Sequence, residues 1–254
     1  MDVGATALVS GAALAGGIVN AIAGGGSLIT FPALVAAGLP PVAASVTNTI
    51  AMCPGYFGAT IAQRKQLVGQ RARLYAVIPA GAVGGVVGAL LLLKTGEAAF
   101  DIVVPFLLLF AAGMLAGQTR LRRWLDARAA ARGGQHREVW AALPVGLAAI
   151  YGGYFGAAMG VIVLAALAVV LDDSLVRVNA LKQAVSLSVN VAAAVVFVGS
   201  SLVAWPAAIA MAVASLVGGV IGGAISARVP SAVLRWSVVT VGLVISAYYF
   251  VRLV

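Results

Sequence analysis

Two stretches of this chain place polar side chains at helical spacing inside otherwise apolar sequence. Ser45, Asn48, Thr49 and Met52 fall at i, i+3, i+4 and i+7, which puts them on one face of a helix. Asn179, Lys182, Gln183 and Ser186 repeat that spacing, with Asn190 one turn further on. Lys182 is the decisive residue. A lysine in apolar sequence costs roughly 2.5 to 3.5 kcal/mol at the centre of a membrane helix, so it needs a water-filled cavity, a partner or a ligand. Snorkelling to the interface is the other explanation, because Lys182 stands about seven residues into its helix. Asn179 and Gln183 beside it favour the cavity, since a snorkelling lysine does not require them. A third stretch, Ala23-Gly24-Gly25-Gly26-Ser27, interrupts an apolar run from Gly4 to Gly38. The backbone there can unwind and offer bare N–H groups to a ligand, or its glycines allow close helix packing.

Together these residues form an inventory of N–H, amide and hydroxyl donors with one cation and no carboxylate. That chemistry suits a small oxyanion. Binding is expected from Gly24, Gly25, Gly26, Ser27, Ser45, Asn48 and Thr49 in one half of the chain, and from Asn179, Lys182 and Gln183 in the other. Enzyme chemistry is not expected. There is no His/Glu metal spacing, no Ser/His/Asp set and no Gly-Lys-Ser/Thr after the glycines, so neither a catalytic residue, a metal nor a cofactor is expected.

The elements that must carry these residues are apolar helices. Hydrophobic residues make up 63% of the sequence and charged ones 9%, with a mean hydropathy of +1.10. Too few polar side chains remain to cover a soluble globule. The reading is an all-α polytopic membrane protein, with residues 1–254 as one transmembrane domain. Met1-Asp2-Val3-Gly4 lacks the positive n-region of a cleavable signal, so the first helix is expected to stay. Spans are expected at 4–23, 42–63, 74–93, 98–118, 140–155, 176–198, 205–227 and 231–254. Between them, 24–38 and 156–171 are short pieces. Fifteen helical residues reach only ~22 Å, less than a ~30 Å hydrocarbon core, so such a piece is tilted, broken or re-entrant. Trp205, Tyr248 and Tyr249 are candidates for an aromatic belt, and Asp101 for an interfacial position.

The net charge of +9 could suggest nucleic acid, but ten of the sixteen basic residues lie in two loops. Arg64, Lys65, Arg71 and Arg73 occupy one; Arg120, Arg122, Arg123, Arg128, Arg132 and Arg137 occupy the other. This is the pattern of cytoplasmic loops in the cytoplasmic membrane, so loops 64–73 and 119–138 are assigned inside and nucleic-acid binding is discounted. Cys53 is alone, which excludes disulfides within the chain. His136, among arginines, reads as a solvated surface histidine.

The chain also repeats itself. A shift of 134 residues aligns Val83-Gly84-Gly85-Val86 with Val217-Gly218-Gly219-Val220, Gly88 with Gly222 and Gly26 with Gly160. It also aligns the two polar stripes. The basic loop 64–73 then corresponds to the uncharged 198–207, while the uncharged turn at Pro40-Pro41 corresponds to a region with Arg177. Halves whose positive loops alternate in this way point in opposite directions. The expected fold is two inverted-topology repeats, 1–119 and 139–254, joined by the basic loop 120–138, each with a broken helix pair and three full helices. The glycine faces at 81–88 and 218–223 serve packing within the chain or a homo-oligomer.

At this point the sequence resembles the TauE/SafE family of sulfite-exporter-like permeases. The resemblance rests on Gly16-Gly17, Gly24-Gly25-Gly26-Ser27, Phe31-Pro32, Gly38, Ala44-Ser45, Thr47-Asn48 and Tyr151-Gly152-Gly153-Tyr154-Phe155-Gly156. Ala158-Met159-Gly160 departs from it, standing where relatives often carry more glycine. The resemblance implies a sulfur-containing anion as substrate: sulfite, another oxyanion or an organosulfonate. The expected function is a secondary transporter, an exporter working by alternating access. Proton-coupled uptake of thiosulfate, sulfate or a sulfonate is the alternative within transport. An anion channel and a non-transporting membrane subunit are the alternatives outside it.

Overall fold

The computed structural model describes residues 1–131, 138–171, 173–226, 228 and 231–253. Arg132, His136, Arg137 and Asp172 lie outside the described residues. The described chain is all helical, with no strand. Five helical stretches, 3–22, 71–95, 97–120, 176–198 and 205–225, are long and apolar enough to cross a membrane.

The helix α1 (Val3–Ile22) is capped by Asp2, whose Oδ1 accepts from the Ala5 amide at 2.6 Å. It ends where Gly24 takes φ +86°, a conformation that a side chain would strain. The chain then doubles back as α2 (Ser27–Ala36). Ala33 and Ala36 of α2 lie beside Ala7 and Gly11 near the start of α1, with Thr30 against Gly16, so the two helices form an antiparallel hairpin. Prolines 40 and 41 follow, and Pro41 opens α3 (Pro41–Ala62), where its missing N–H costs nothing. A 3-10 turn at Arg64–Leu67 leads to α4 (Arg71–Thr95). Gly96, at φ +73°, turns the chain into α5 (Glu97–Ala131). The expected loop from 119 thus begins as helix, because its Arg, Leu and Ala residues are strong helix formers and no glycine intervenes until 133.

The second half repeats this order with α6 (Ala142–Tyr154), α7 (Met159–Val170), α8 (Leu175–Val198), α9 (Trp205–Ile225) and α10 (Ser231–Leu253). The starts of α8, α9 and α10 fall 134 residues after those of α3, α4 and α5. The first hairpins are in a different register. Gly24 and Gly156, both at positive φ, are 132 residues apart, and so are the ends of α1 and α6. The two extra residues lie in the second short helix, since α7 has twelve residues and α2 has ten.

Glycine decides how the helices meet. α1 and α3 both pack on α9, and α6 and α8 both pack on α4. A Cβ on Gly219 would fall on the Gly55 carbonyl, and one on Gly85 would lie 2.6 Å from the Val189 carbonyl, its counterpart at the 134-residue shift. The glycine faces of 81–88 and 218–223 are therefore occupied by contacts within the chain. The tips of the hairpins meet in the same way, Gly24 backbone to Gly160 backbone, where an added Cβ at Gly24 would lie 2.9 Å from Gly160. Phe31 of α2 packs edge-on to Phe155 with centroids 5.2 Å apart.

Hydrogen bonds define the two ends of the bundle. Gln63 at the end of α3 meets Asn179 at the start of α8, and Arg73 at the start of α4 meets Asp173 just before α8. At the other end the Val42 amide donates to Glu97 Oε2 at 3.0 Å, and the Ala204 amide, just before α9, donates to Thr47 Oγ1 at 3.0 Å. Gly219→Ala should cost more than about 3 kcal/mol, because backbone stands where the methyl must go. Gly113→Ala, with nothing within 4 Å of the new Cβ, should be neutral or mildly stabilising. Thermal unfolding of the purified variants in detergent would separate the two.

Candidate functional site

The break in α1 creates the site. A helix that ends inside the protein leaves its last carbonyls without intrahelical donors, and at membrane depth each must find another. The Ala23 and Gly24 amides both return to the Val19 carbonyl, at 2.7 and 3.2 Å. The carbonyls of Asn20, Ala21 and Ala23 are taken by side chains from distant helices. Gln183 Nε2 donates to Ala21 O at 2.9 Å and to Asn20 O at 3.3 Å, while Lys182 Nζ donates to Asn20 O at 3.4 Å. Asn179 Nδ2 reaches Ala21 O at 3.4 Å and Gln63 Oε1 at 2.9 Å. From α5, Gln118 Nε2 reaches Ala23 O at 3.3 Å.

Lys182 is 1% exposed and Gln183 is 0% exposed. The lysine therefore does not run out along the helix to the surface. It lies at the negative end of the α1 dipole, where a cation is favoured. Asn179, Lys182 and Gln183 are brought together here. Gly26 is tight against Gly16 and Asn20, Gly25 faces Leu115, and Ser27 is buried as the first residue of α2. Ser45, Asn48 and Thr49 are buried on α3, with Thr49 Oγ1 bonded back to the Ser45 carbonyl at 3.0 Å. Asn48 and Lys182 each stand seven residues from the start of their helix, about 10 Å along it. Because α3 and α8 start at opposite ends, the two stripes approach the middle of the bundle from opposite sides.

The comparisons with known proteins bear on this arrangement. The sequence matches the sulfite exporter TauE/SafE family over residues 9–249. The chain belongs to that family. It is 27% identical over 207 residues to the probable membrane transporter protein YfcA of Escherichia coli K12, covering 79% of this chain and 73% of that one. A probable membrane transporter protein of Haemophilus influenzae is 37% identical over 92 residues, 36% of either chain. Another from a Sinorhizobium species, ORF9, is 35% identical over 99 residues, 39% of this chain and 38% of the other. No solved structure matches. This TauE/SafE chain is accordingly a multi-pass membrane protein of a transporter family.

Five polar residues at the site go beyond the expected set: Asn20, Tyr56, Gln63, Gln118 and Asn190. Tyr56 is buried, and its hydroxyl interacts with the side chains of Asn20 and Asn190. Tyr56 continues the α3 stripe four residues past Met52, and at the 134-residue shift it corresponds to Asn190, so the spacing that marked the stripe extends to both. Gln63 and Gln118 sit near expected span ends, where a glutamine reads as a boundary residue.

Below Asn179 the same end of the bundle is closed by a charged clamp. Asp173 Oδ2 accepts from Arg73 Nη1 and, at 3.0 Å, from Arg177 Nε. Arg177 Nη1 also donates to the Val68 carbonyl at 3.2 Å, and Gln70 Nε2 to the Arg177 carbonyl at 3.2 Å. Burial raises the Asp173 pKa, but the bonds from Arg73, Arg177 and the Ser174 amide outweigh it and hold the carboxyl below its ordinary 3.8.

A depressed carboxylate pKa contributes stability above the unfolded value, and that contribution disappears as pH falls through the folded value. Asp173→Asn should therefore lower thermal stability in detergent at neutral pH, with the gap to the native protein closing below pH 3.8. Gln183→Leu, which removes one of the two donors at each of the Asn20 and Ala21 carbonyls, should cost about 1–3 kcal/mol by the same measurement.

Proposed function

We propose that this protein is a secondary transporter of sulfite or a related small sulfur-containing anion, and not an enzyme. It works as an exporter across the cytoplasmic membrane by alternating access between two inverted halves. The observation that carries the reading is a lysine buried among amides where two broken helices meet back to back at Gly24 and Gly160. Broken helices at depth are where transporters of inverted-repeat design bind substrate. The family name points to sulfite. The inverted arrangement is supported by the bundle ends: α3 starts with α9 at one end, while their counterparts α8 and α4 start at the other. With the basic loop 64–73 inside, the Asp173 clamp is cytoplasmic. Ser45, Asn48, Thr49 and the Gly24–Ser27 backbone serve the substrate from one half, and Asn179, Lys182 and Gln183 from the other.

No nucleotide-binding motif is present in the sequence, so the energy comes from gradients. A cytoplasm-negative potential drives an anion outward with roughly 2.3 kcal/mol per charge per 100 mV, so export proceeds without a coupled ion. Sulfite flux in proteoliposomes tests the reading. Saturable flux that falls at least about tenfold in Lys182→Met, in protein that remains folded, is expected. Native flux unchanged in that variant would remove Lys182 from the site, and no flux of sulfite or a sulfonate by folded protein would overturn the transport reading.

A further inference from the structure

Three amides around the end of α1 have their orientation fixed by what they touch. The NH2 groups of Gln183, Asn179 and Gln118 all donate to carbonyl oxygens of residues 20, 21 and 23. A flipped amide would set oxygen against oxygen, so the contacts decide the assignment. Each amide therefore turns its own oxygen away from α1. Asn179 Oδ1, Gln183 Oε1 and Gln118 Oε1 are buried without a hydrogen-bond partner, and so is Ser186 Oγ, one turn beyond Lys182. Gln183 and Ser186 are completely buried. A buried amide oxygen is costly to leave unpaired, and a ligand or water that reaches it completes the bonding. The amide donors of Asn179, Gln183 and Gln118 thus serve α1, and on α8 it is their oxygens that remain beside the Lys182 ammonium, with Gln63 Nε2 as an unpartnered donor at the Asn179 end.

We infer that this site takes a monoanion that carries a hydrogen of its own, with hydrogensulfite as the simplest case, and rejects dianions. The inference rests on the proposed transport of a sulfur oxyanion and narrows its substrate. A dianion offers only lone pairs, which would face the lone pairs of Gln183 Oε1 and Asn179 Oδ1. Lys182 offsets one negative charge, so the second would be buried unpaired. A hydrogen-bearing monoanion sets its charge toward Lys182 and its hydrogen toward Gln183 Oε1, with Ser186 able to donate or accept. The helices packed against α8 bring other titratable or charged groups: Cys53 and Tyr56 on α3, Arg71, Arg73, Tyr75 and Lys94 on α4, Tyr151 and Tyr154 on α6, and none on α7. Arg64 and Lys65 lie in the 3-10 turn, Asp173 and Arg177 at the start of α8. Of these, Tyr56 joins the cluster through Asn20.

The test is binding and flux of sulfite by the purified full chain at about pH 6 and about pH 8, either side of the point where hydrogensulfite loses its proton. The apparent Kd and KM for total sulfite should rise about tenfold as the monoanion fraction falls. Methanesulfonate, a monoanion at both pH values with no acidic hydrogen, should bind more weakly and without that trend. Ser186→Ala should weaken sulfite binding several-fold at the lower pH. Sulfite affinity that is flat or improves with pH, or the same trend with methanesulfonate, would overturn this inference while leaving transport standing. The expected binding without flux would remove the transport reading and leave the monoanion site. Neither binding nor flux from folded protein would remove both.

Discussion

The carbonyls at the end of α1 impose the strongest constraint on this fold. In water a helix can end anywhere, because solvent takes its last oxygens; at the depth of a bilayer no such donor exists. α1 breaks at Gly24 and turns back, so the carbonyls of Asn20, Ala21 and Ala23 must be met from elsewhere in the protein. They are met by Asn179, Lys182 and Gln183 on α8 and by Gln118 on α5. A polar stripe on α8, which would be unfavourable facing lipid, is thereby required at one depth. Lys182 is tolerated for the same reason, since it lies at the negative end of a helix whose oxygen it caps.

The second constraint is close approach. Two broken hairpins can share the middle of the bundle only if their tips touch backbone to backbone, which Gly24 and Gly160 permit. The glycines on α4 and α9 then bring the long helices against the hairpins and against α3 and α8. These contacts are formed between the halves, α9 on α1 and α4 on α6, so neither half holds its broken pair alone. A displacement of one hairpin is felt at once by the other, through atoms already at van der Waals distance.

Hydropathy made the helices legible. The ends of α1, α3, α8 and α9 fall within two residues of where apolar runs and turn residues place them, because in a membrane chain the boundary is a change of solvent. The 134-residue register was legible from α3 onward, where identities and polar stripes agree. It was not legible across α1 and α6, whose 132-residue offset shows only in the paired positive-φ glycines 24 and 156. The stripes were visible, but not what Asn179, Lys182 and Gln183 bond to. Their partners are about 160 residues away and are backbone atoms, which carry no signature in sequence. The groups themselves stand in the sequence, while the direction of their hydrogen bonds, donors toward α1 and oxygens away, shows only in the folded chain.

The duplication makes the remaining asymmetry informative. At the position equivalent to Lys182 the first half has Asn48, with Ser45 and Thr49 in place of Asn179 and Gln183. The second break is held differently: the Tyr151 hydroxyl donates to the Ala157 carbonyl at 2.8 Å, and Phe155 packs against Phe31 and Phe100. One broken helix is closed by a charge and amides, the other by a phenol and aromatic rings. A pair of equivalent lysines would hold an anion equally from both sides and deepen the well it must leave. With the charge on one side alone, next to the end that carries Arg73 and Arg177, attraction is strongest where the proposed cytoplasmic substrate would enter. The opposite side carries hydroxyls and Asn48, neutral groups from which the proposed anion would depart more readily. On the export reading, that gradient of binding strength gives the two halves of one duplicated fold different tasks.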